Sequence, residues 1–333
     1  MNYIGSKFKL LSWIKEEIIK VVGNDLSDKI FCDLFAGTGA VGRAFKKDVQ
    51  QIISNDLEEY SYILNRNYIE NLNLPNNYLL IIDELNKLPL IDSGFIYKNY
   101  CLGSGSNRQY FSDYNGKKID AIRTIIEEFN SNLTIDLYYF LLASLLESAD
   151  KIANTASVYG AFLKSLKKSA QENLILQPAI FESNHQNKNN KVYKLDSNEL
   201  IKNIAGDILY IDPPYNHRQY GANYHILNTI AIYDEFIPKG KTGMRIYNRS
   251  NYSKKGKVLN NFEELIINAK FKYIFLSYNN EGLMSLEDIK SVMKKYGKYD
   301  FVAKKYQRFK ADKTDSRNHK AESTYEYLHI LKK

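Results

Sequence analysis

The most chemically specific element of the chain is Asp212-Pro213-Pro214-Tyr215, which follows directly on the apolar run Ile208-Leu209-Tyr210-Ile211. Two consecutive prolines remove two N–H donors and stiffen the turn. What remains is a cluster of acceptors, the Asp212 carboxylate and the Pro213 carbonyl, beside the flat ring of Tyr215. The exocyclic amine of a nucleobase is a poor nucleophile, because its lone pair is delocalised into the ring. Hydrogen bonds from both of its N–H groups to fixed acceptors localise that pair, and a sulfonium methyl can then be attacked in line. Taken alone, the tetrapeptide is also compatible with a rigid turn carrying an incidental aspartate.

A second group of residues points to a nucleoside. Asp33-Leu34-Phe35-Ala36-Gly37-Thr38-Gly39 reads as a strand that ends in an acid and opens into Gly-x-Gly. Such a turn lets backbone approach a ligand at a helix N-terminus. Asp56 ends the next strand, 23 residues after Asp33, where an acid can accept hydrogen bonds from ribose hydroxyls. The pair narrows the ligand to a nucleoside without selecting one cofactor. A nicotinamide oxidoreductase would account for this half of the pattern but would leave Asp-Pro-Pro-Tyr idle.

The elements that must hold these groups follow from periodicity. Residues 8–22 place apolar side chains at helical spacing, closed by Gly23-Asn24. Strands are predicted at 29–35 and 51–56, with helices running to about Lys47 and over 58–72. Strand–helix alternation of this kind gives a parallel, doubly wound sheet. The alternation stops at 85–185, where a polar stretch (98–118) precedes helices at 117–130, 134–153 and 157–173. The Asn-rich run 184–190 reads as a loop, and strands resume at 191–196, 207–212, 272–278 and 324–331. The expectation is an α/β domain formed by 1–84 and 186–333, interrupted by a mainly helical lobe at 85–185.

In their order, these elements resemble the Dam-like, alpha-group N6-adenine DNA methyltransferases. That family opens on an aromatic-x-Gly-Gly/Ser-Lys element, matched by Tyr3-Ile4-Gly5-Ser6-Lys7. Its Phe-x-Gly-x-Gly loop is matched by Phe35 to Gly39, its ribose acid by Asp56, and its Asp-Pro-Pro-Tyr element in full by 212–215. The resemblance covers roughly residues 1–72, 190–233 and, less specifically, 270–331. It implies a Rossmann-like methyltransferase fold, a mostly parallel seven-stranded sheet with the last strand antiparallel, and S-adenosylmethionine as methyl donor without a metal. By the same likeness Tyr3 and Lys7 line the cofactor's methionine end, with Asp33, Phe35, Gly37, Gly39 and Leu57 in the same cofactor site. Asp56 binds its ribose, Asp196 meets its adenine amino group, and Asp212 stands between cofactor and target amine. Residues 85–185 become a target-recognition domain. The phrase Ser148 to Thr155 looks most like methyltransferases that accompany type II restriction enzymes, which implies double-stranded DNA, a flipped base and a cognate endonuclease as partners.

Composition agrees with an anionic partner. The 333 residues carry a formal charge of +8, which favours nucleic acid first and an anionic membrane surface second. After the tetrapeptide, Arg218, Tyr220, Asn223 and Tyr224 offer donors and rings where the family handles its base, though a solvated loop suits each of them equally. Residues 237–257 hold Lys239, Lys241, Arg245, Arg249, Lys254, Lys255 and Lys257, with no Asp or Glu and with three interrupting glycines. This reads as a mobile loop that contacts phosphates. The two cysteines exclude a disulfide framework, and no zinc spacing is present. The first residues contain no apolar signal region, and the longest apolar stretch, around 137–146, is too short to span a bilayer, so the cytoplasm is the expected location. Two rivals remain. An RNA methyltransferase would share the sheet and a similar proline-rich element, but usually without a hundred-residue insertion. A nucleic-acid-binding module on an inactive Rossmann-like fold would have no reason to keep Asp33, Asp56, Asp196 and Asp212.

Overall fold

In a computed structural model of the chain, residues 7–182, 189–307 and 323–333 are described. Tyr3 and most of the Asn-rich run 184–190 lie outside them. The described chain forms two compact units. Of the described residues, one comprises 7–57, 189–219, 248–307 and 323–333, and the other 58–182 and 220–247.

The first unit contains a seven-stranded sheet. Its strands are β1 (Ile30–Asp33), β2 (Gln51–Asn55), β3 (Lys191–Tyr193), β4 (Ala205–Ile211), β5 (Lys270–Asn279), β6 (Lys298–Gln307) and β7 (Ser323–Lys332), in spatial order β3-β2-β1-β4-β5-β7-β6. Strands β1 to β5 pair in parallel, whereas β7 runs antiparallel to both β5 and β6. This is the Rossmann-like methyltransferase architecture. The near-continuous apolar runs of β1 and β4 suit parallel strands covered on both faces. Phe31, Cys32, Leu209 and Ile211 are fully buried. Helix Leu11–Val22 buries Trp13, Ile14 and Ile18 along one stripe and stops at Gly23, whose φ of 115° lies in the left-handed half of the map. Helix Lys255–Asn268 likewise lays Val258, Phe262, Leu265 and Ile266 into the apolar core.

Register sets where chemistry can occur. Asp33, Asn55, Tyr193, Ile211 and Asn279 all end their strands at one edge of the sheet. Because β7 is antiparallel, its early residue Glu326 pairs with Asn279 and reaches the same edge. Asn55 fastens this edge. Its amide donates to Leu34 O (3.2 Å) and Leu195 O (3.1 Å), and its oxygen accepts from Leu195 N (3.0 Å), so the segments after β1 and β3 are tied to β2.

The second unit is helical, led by helices Asp113–Glu128 and Ile135–Ile152, with Ser112 and Thr134 as N-caps accepting from backbone N–H groups three residues on. Three expectations need correction. The helix predicted at 157–173 is reduced to Lys168–Gln171. Asn154 explains this: its buried side chain donates to Gln109 O and Leu163 O and accepts from Lys167 N, so this stretch wraps around an amide instead of coiling. The compact units also do not divide at 84/85 and 185/186, because residues 58–84 and 220–247 cluster with the helical unit. Finally, 237–257 is not one loop. Lys239 and Met244 bridge around a turn with Gly240 and Gly243 at positive φ, and Lys255 to Lys257 form the first turn of a helix. Strand β6, rich in lysine and tyrosine, was not anticipated.

Replacing Asn55 with alanine should destabilise the fold by roughly 2 kcal/mol, because buried backbone groups of Leu34 and Leu195 lose their partners. Urea denaturation of Asn55→Ala would register this as a lower midpoint at unchanged slope, and a midpoint equal to wild type would contradict it.

Candidate active site

Construction of the site begins at the end of β1. Asp33 is buried, and its Oδ2 accepts the Gly42 N–H (3.0 Å) at the start of the helix Ala40–Phe45. Burial pushes its pKa up to about 7; the Gly42 N–H opposes this, while the nearby Asp212 and Asp56 carboxylates push the same way. That mutual influence places three of the sequence-predicted acids in one neighbourhood. Asp33 therefore acts first as a brace for the turn. Within the turn, Gly37 and Gly39 adopt φ of 52° and 74°, the left-handed region in which a Cβ is strained. Asp56, beyond the end of β2, accepts the Gly37 N–H at 2.8 Å and so fixes the turn from its other side. Phe35 packs edge-on against Tyr252 (ring centroids 5.0 Å apart), and Leu57 is half-buried. Asp196 is exposed and caps the short helix Ser197–Leu200 through the Asn198 and Glu199 N–H groups.

The tetrapeptide follows β4. Tyr215 stacks edge-on against Tyr278 (5.1 Å between centroids), and its carbonyl accepts the Leu283 N–H at 3.0 Å. Its hydroxyl lies 2.5 Å from Asp212 Oδ1 and 3.0 Å from Glu326 Oε1. Lys7, buried, places its ammonium 3.2 Å from Asp212 and 2.8 Å from Glu326, in contact with the Tyr215 hydroxyl and 4.5 Å from the centre of its ring. Ser277 donates to Glu326 at 2.6 Å. Burial opposes the charge on Lys7, yet the two carboxylates outweigh it and hold the ammonium above its usual pKa. Burial lifts Asp212 to about 6, with Lys7 pulling down and Glu326 pushing up. Glu326 is held below its ordinary value because Lys7, Ser277 and Tyr215 overcome its burial. Glu326 was absent from the sequence reading. It lies 111 residues from Tyr215 in a strand whose local pattern carries no chemical signal.

The tetrapeptide's continuation is anchored rather than free. Gln219 exchanges hydrogen bonds with Ser250 (2.8 and 3.4 Å), and Ser253 donates to Arg218 O at 3.3 Å. The lysines at the start of helix Lys255–Asn268 are thereby brought beside the residues that follow the acceptor cluster. In the helical unit, Tyr224 corrects an expectation: it is fully buried against Tyr60, Tyr159 and Tyr220, and so serves that unit's core. Asn223 gives its carbonyl to Tyr159 N (2.7 Å). Arg245 forms a two-pronged pair with Asp234 (3.0 and 3.2 Å) over the Phe236 ring. Lys239 and Lys241 remain exposed on a turn that Arg108 and Tyr100 clamp through the carbonyls of Gly240, Lys241 and Gly243. Among the described residues there is no group of His, Cys, Asp and Glu able to hold a metal ion, and no helix is long and apolar enough to cross a membrane.

This geometry is an acceptor cluster at the carboxyl edge of a methyltransferase sheet. A family model for D12 class N6 adenine-specific DNA methyltransferases matches residues 3–297. The chain belongs to that family. The methyltransferase is 62% identical over 335 residues to the type II methyltransferase M.NlaIII of Neisseria lactamica, covering 100% of this chain and 99% of the relative. It is 38% identical to the type II methyltransferase M.CviAII of Paramecium bursaria Chlorella virus 1, covering 93% of each. Against the type II methyltransferase M.FokI of Planomicrobium okeanokoites it is 39% identical, and there it spans 53% of the longer relative.

Asp212 can accept hydrogen bonds through both oxygens only when ionised. Since its pKa is raised to about 6, kcat/KM should fall as pH drops through about 6, by roughly tenfold per unit below it. A methylation pH profile that stays flat down to pH 5 would contradict this.

Proposed function

We propose that the enzyme methylates N6 of an adenine flipped out of double-stranded DNA at a specific sequence, with S-adenosylmethionine as donor, as the modification half of a restriction–modification system. The observation that carries the chemical part is the Asp212 carboxylate, held at the sheet edge next to Pro213 and the Tyr215 ring. The cofactor supplies a methyl group on a positively charged sulfonium. The residues present suit such a ligand: the glycine turn lacks side chains at its closest point, Asp56 stands at a strand end where ribose is met, and Asp33, Asp56, Asp212 and Glu326 outnumber Lys7 in charge. Tyr3 and Lys7 are assigned to its methionine end and Asp196 to its adenine.

For catalysis, Asp212 Oδ and the Pro213 carbonyl accept the two N6 hydrogens and localise the lone pair, while the Tyr215 ring supports the base. A carboxyl group with a pKa near 6 is also a better acceptor than an ordinary aspartate for the proton that N6 sheds. Extruding the base costs a few kcal/mol of unstacking, which binding to DNA must offset. The helical unit is assigned the reading of sequence, with Lys239 and Lys241 on phosphates. Lys255 and Lys257 are exposed on the N-terminal turn of a helix whose first turn holds no acid. Cations there oppose the helix dipole, so a phosphate is stabilised by lysines and backbone N–H groups together. Arg218, Arg249 and Lys254 are placed along the same path. The names of the relatives, type II methyltransferases, support the restriction–modification role, and a cognate endonuclease is the partner that such a role would imply.

Asp212→Ala should lower methyl transfer to a cognate duplex by at least ~100-fold, the scale of losing one preorganised polar contact, with DNA binding retained. Tritiated methyl transfer followed by nucleoside analysis tests both the residue and the product; retention of more than about a tenth of wild-type turnover would remove Asp212 from the reaction. Replacing Lys255 and Lys257 together with alanine should flatten the log–log salt dependence of DNA binding by about two units, at roughly 0.9 per phosphate. Fluorescence anisotropy across a salt series would show an unchanged slope if these lysines stay in solvent.

A further inference from the structure

A buried glutamate and a half-buried aspartate share one ammonium and one phenol. Glu326 Oε1 receives Lys7 Nζ at 2.8 Å, Ser277 Oγ at 2.6 Å and Tyr215 Oη at 3.0 Å. Asp212 Oδ1 meets the same ammonium at 3.2 Å and the same hydroxyl at 2.5 Å. An acceptor already occupied by Lys7 and Tyr215 is poorly placed to receive an incoming amine. A buried ammonium that loses its partner is strongly disfavoured, so the donors can leave Asp212 only if another anion holds them.

We propose that Glu326 is a positioning residue that takes over Lys7 and the Tyr215 hydroxyl when the target adenine enters, releasing Asp212 Oδ1 to accept an N6 hydrogen. This rests on the reading of Asp212 as the N6 acceptor. Both donors already reach Glu326: Lys7 lies 2.8 Å from it against 3.2 Å from Asp212, whereas the Tyr215 hydroxyl sits 3.0 Å from it and 2.5 Å from Asp212, so the hydroxyl is the donor that has to shift. Ser277 from β5 holds Glu326 in place. No proton moves between the carboxylates in this exchange; one ammonium and one hydroxyl change partners. The other ionisable groups acting on the pair are Asp33 from β1, Tyr210 from β4 and His329 from β7. Burial lowers His329 to about 4, which leaves it neutral at working pH.

Glu326→Gln keeps the shape and removes the charge. Lys7 should then settle on Asp212. On a cognate duplex kcat should fall at least about tenfold, the scale of one charge-assisted hydrogen bond, and the melting temperature should drop because the buried Lys7 keeps one carboxylate in place of two. The acid limb of kcat/KM should move to lower pH, because the Glu326 charge no longer raises Asp212. Glu326→Asp restores the charge and should return the limb toward its wild-type position. A kcat within about twofold of wild type, or a fall in kcat with the limb unmoved in both variants, overturns the proposal. If Glu326→Gln does not fold, Ser277→Ala carries the test. It removes only the hydroxyl that orients Glu326 and should lower kcat several-fold, an unchanged kcat being the contrary result. Should Asp212→Ala prove active, the reading of Asp212 fails and this proposal with it. An inactive Asp212→Ala beside a wild-type-like Glu326→Gln overturns this proposal alone.

Discussion

Lys7 Nζ lies between Asp212 at the end of β4 and Glu326 at the start of β7, and removing either carboxylate would leave charge buried without its full complement. The tie joins three distant parts of the chain: the segment before the first helix, the strand that precedes the tetrapeptide, and, among the described strands, the one that runs against the others. It also positions Tyr215, whose hydroxyl touches both carboxylates and whose ring lies beneath the ammonium. The charge pattern and the shape of the acceptor cluster therefore have one cause.

That arrangement depends on strand direction. In a wholly parallel sheet the early residues of the last strand would fall at the opposite edge, away from the carboxyl ends where ligands bind. Reversing β7 brings Glu326 opposite Asn279 and beside Ser277. Asn55 does the corresponding work on the other half of the sheet, holding the glycine turn and the Asp196 segment in register with β2.

Much of the site was legible because its chemistry is local. The glycine turn after Asp33, Asp56 at a strand end and the tetrapeptide at 212–215 each declare themselves within a few residues. The parallel strands were legible too, as continuous apolar runs between turn signals. Strand β6 was hidden by its composition: Lys298, Lys304 and Lys305 suit the edge of a sheet, where one side needs no partner strand, and they mask the apolar alternation. The false helix at 157–173 had apolar spacing, but Asn154 captures its backbone from outside the window. Tyr224 looked like a base contact because it follows the tetrapeptide closely, yet proximity in sequence does not determine which way a ring faces. Glu326 could be seen only once the strands were paired.

The division of the chain bears on how its helical unit can be exchanged between relatives. In the described residues the backbone leaves one compact unit for the other after residues 57, 219 and 247, and again between 182 and 189. The helical unit is thus assembled from two separate stretches, and the shorter one is flanked on both sides by segments of the sheet unit. A lobe built this way cannot be grafted as one cassette: exchanging residues 85–185 alone would take Tyr100, Tyr110 and Tyr159 from the Tyr224 and His225 rings they pack against, and Arg123 from the Ile230 and Ala231 carbonyls. Recombination that exchanges the helical unit intact has to carry two blocks at once, whereas a point substitution on its surface disturbs neither junction.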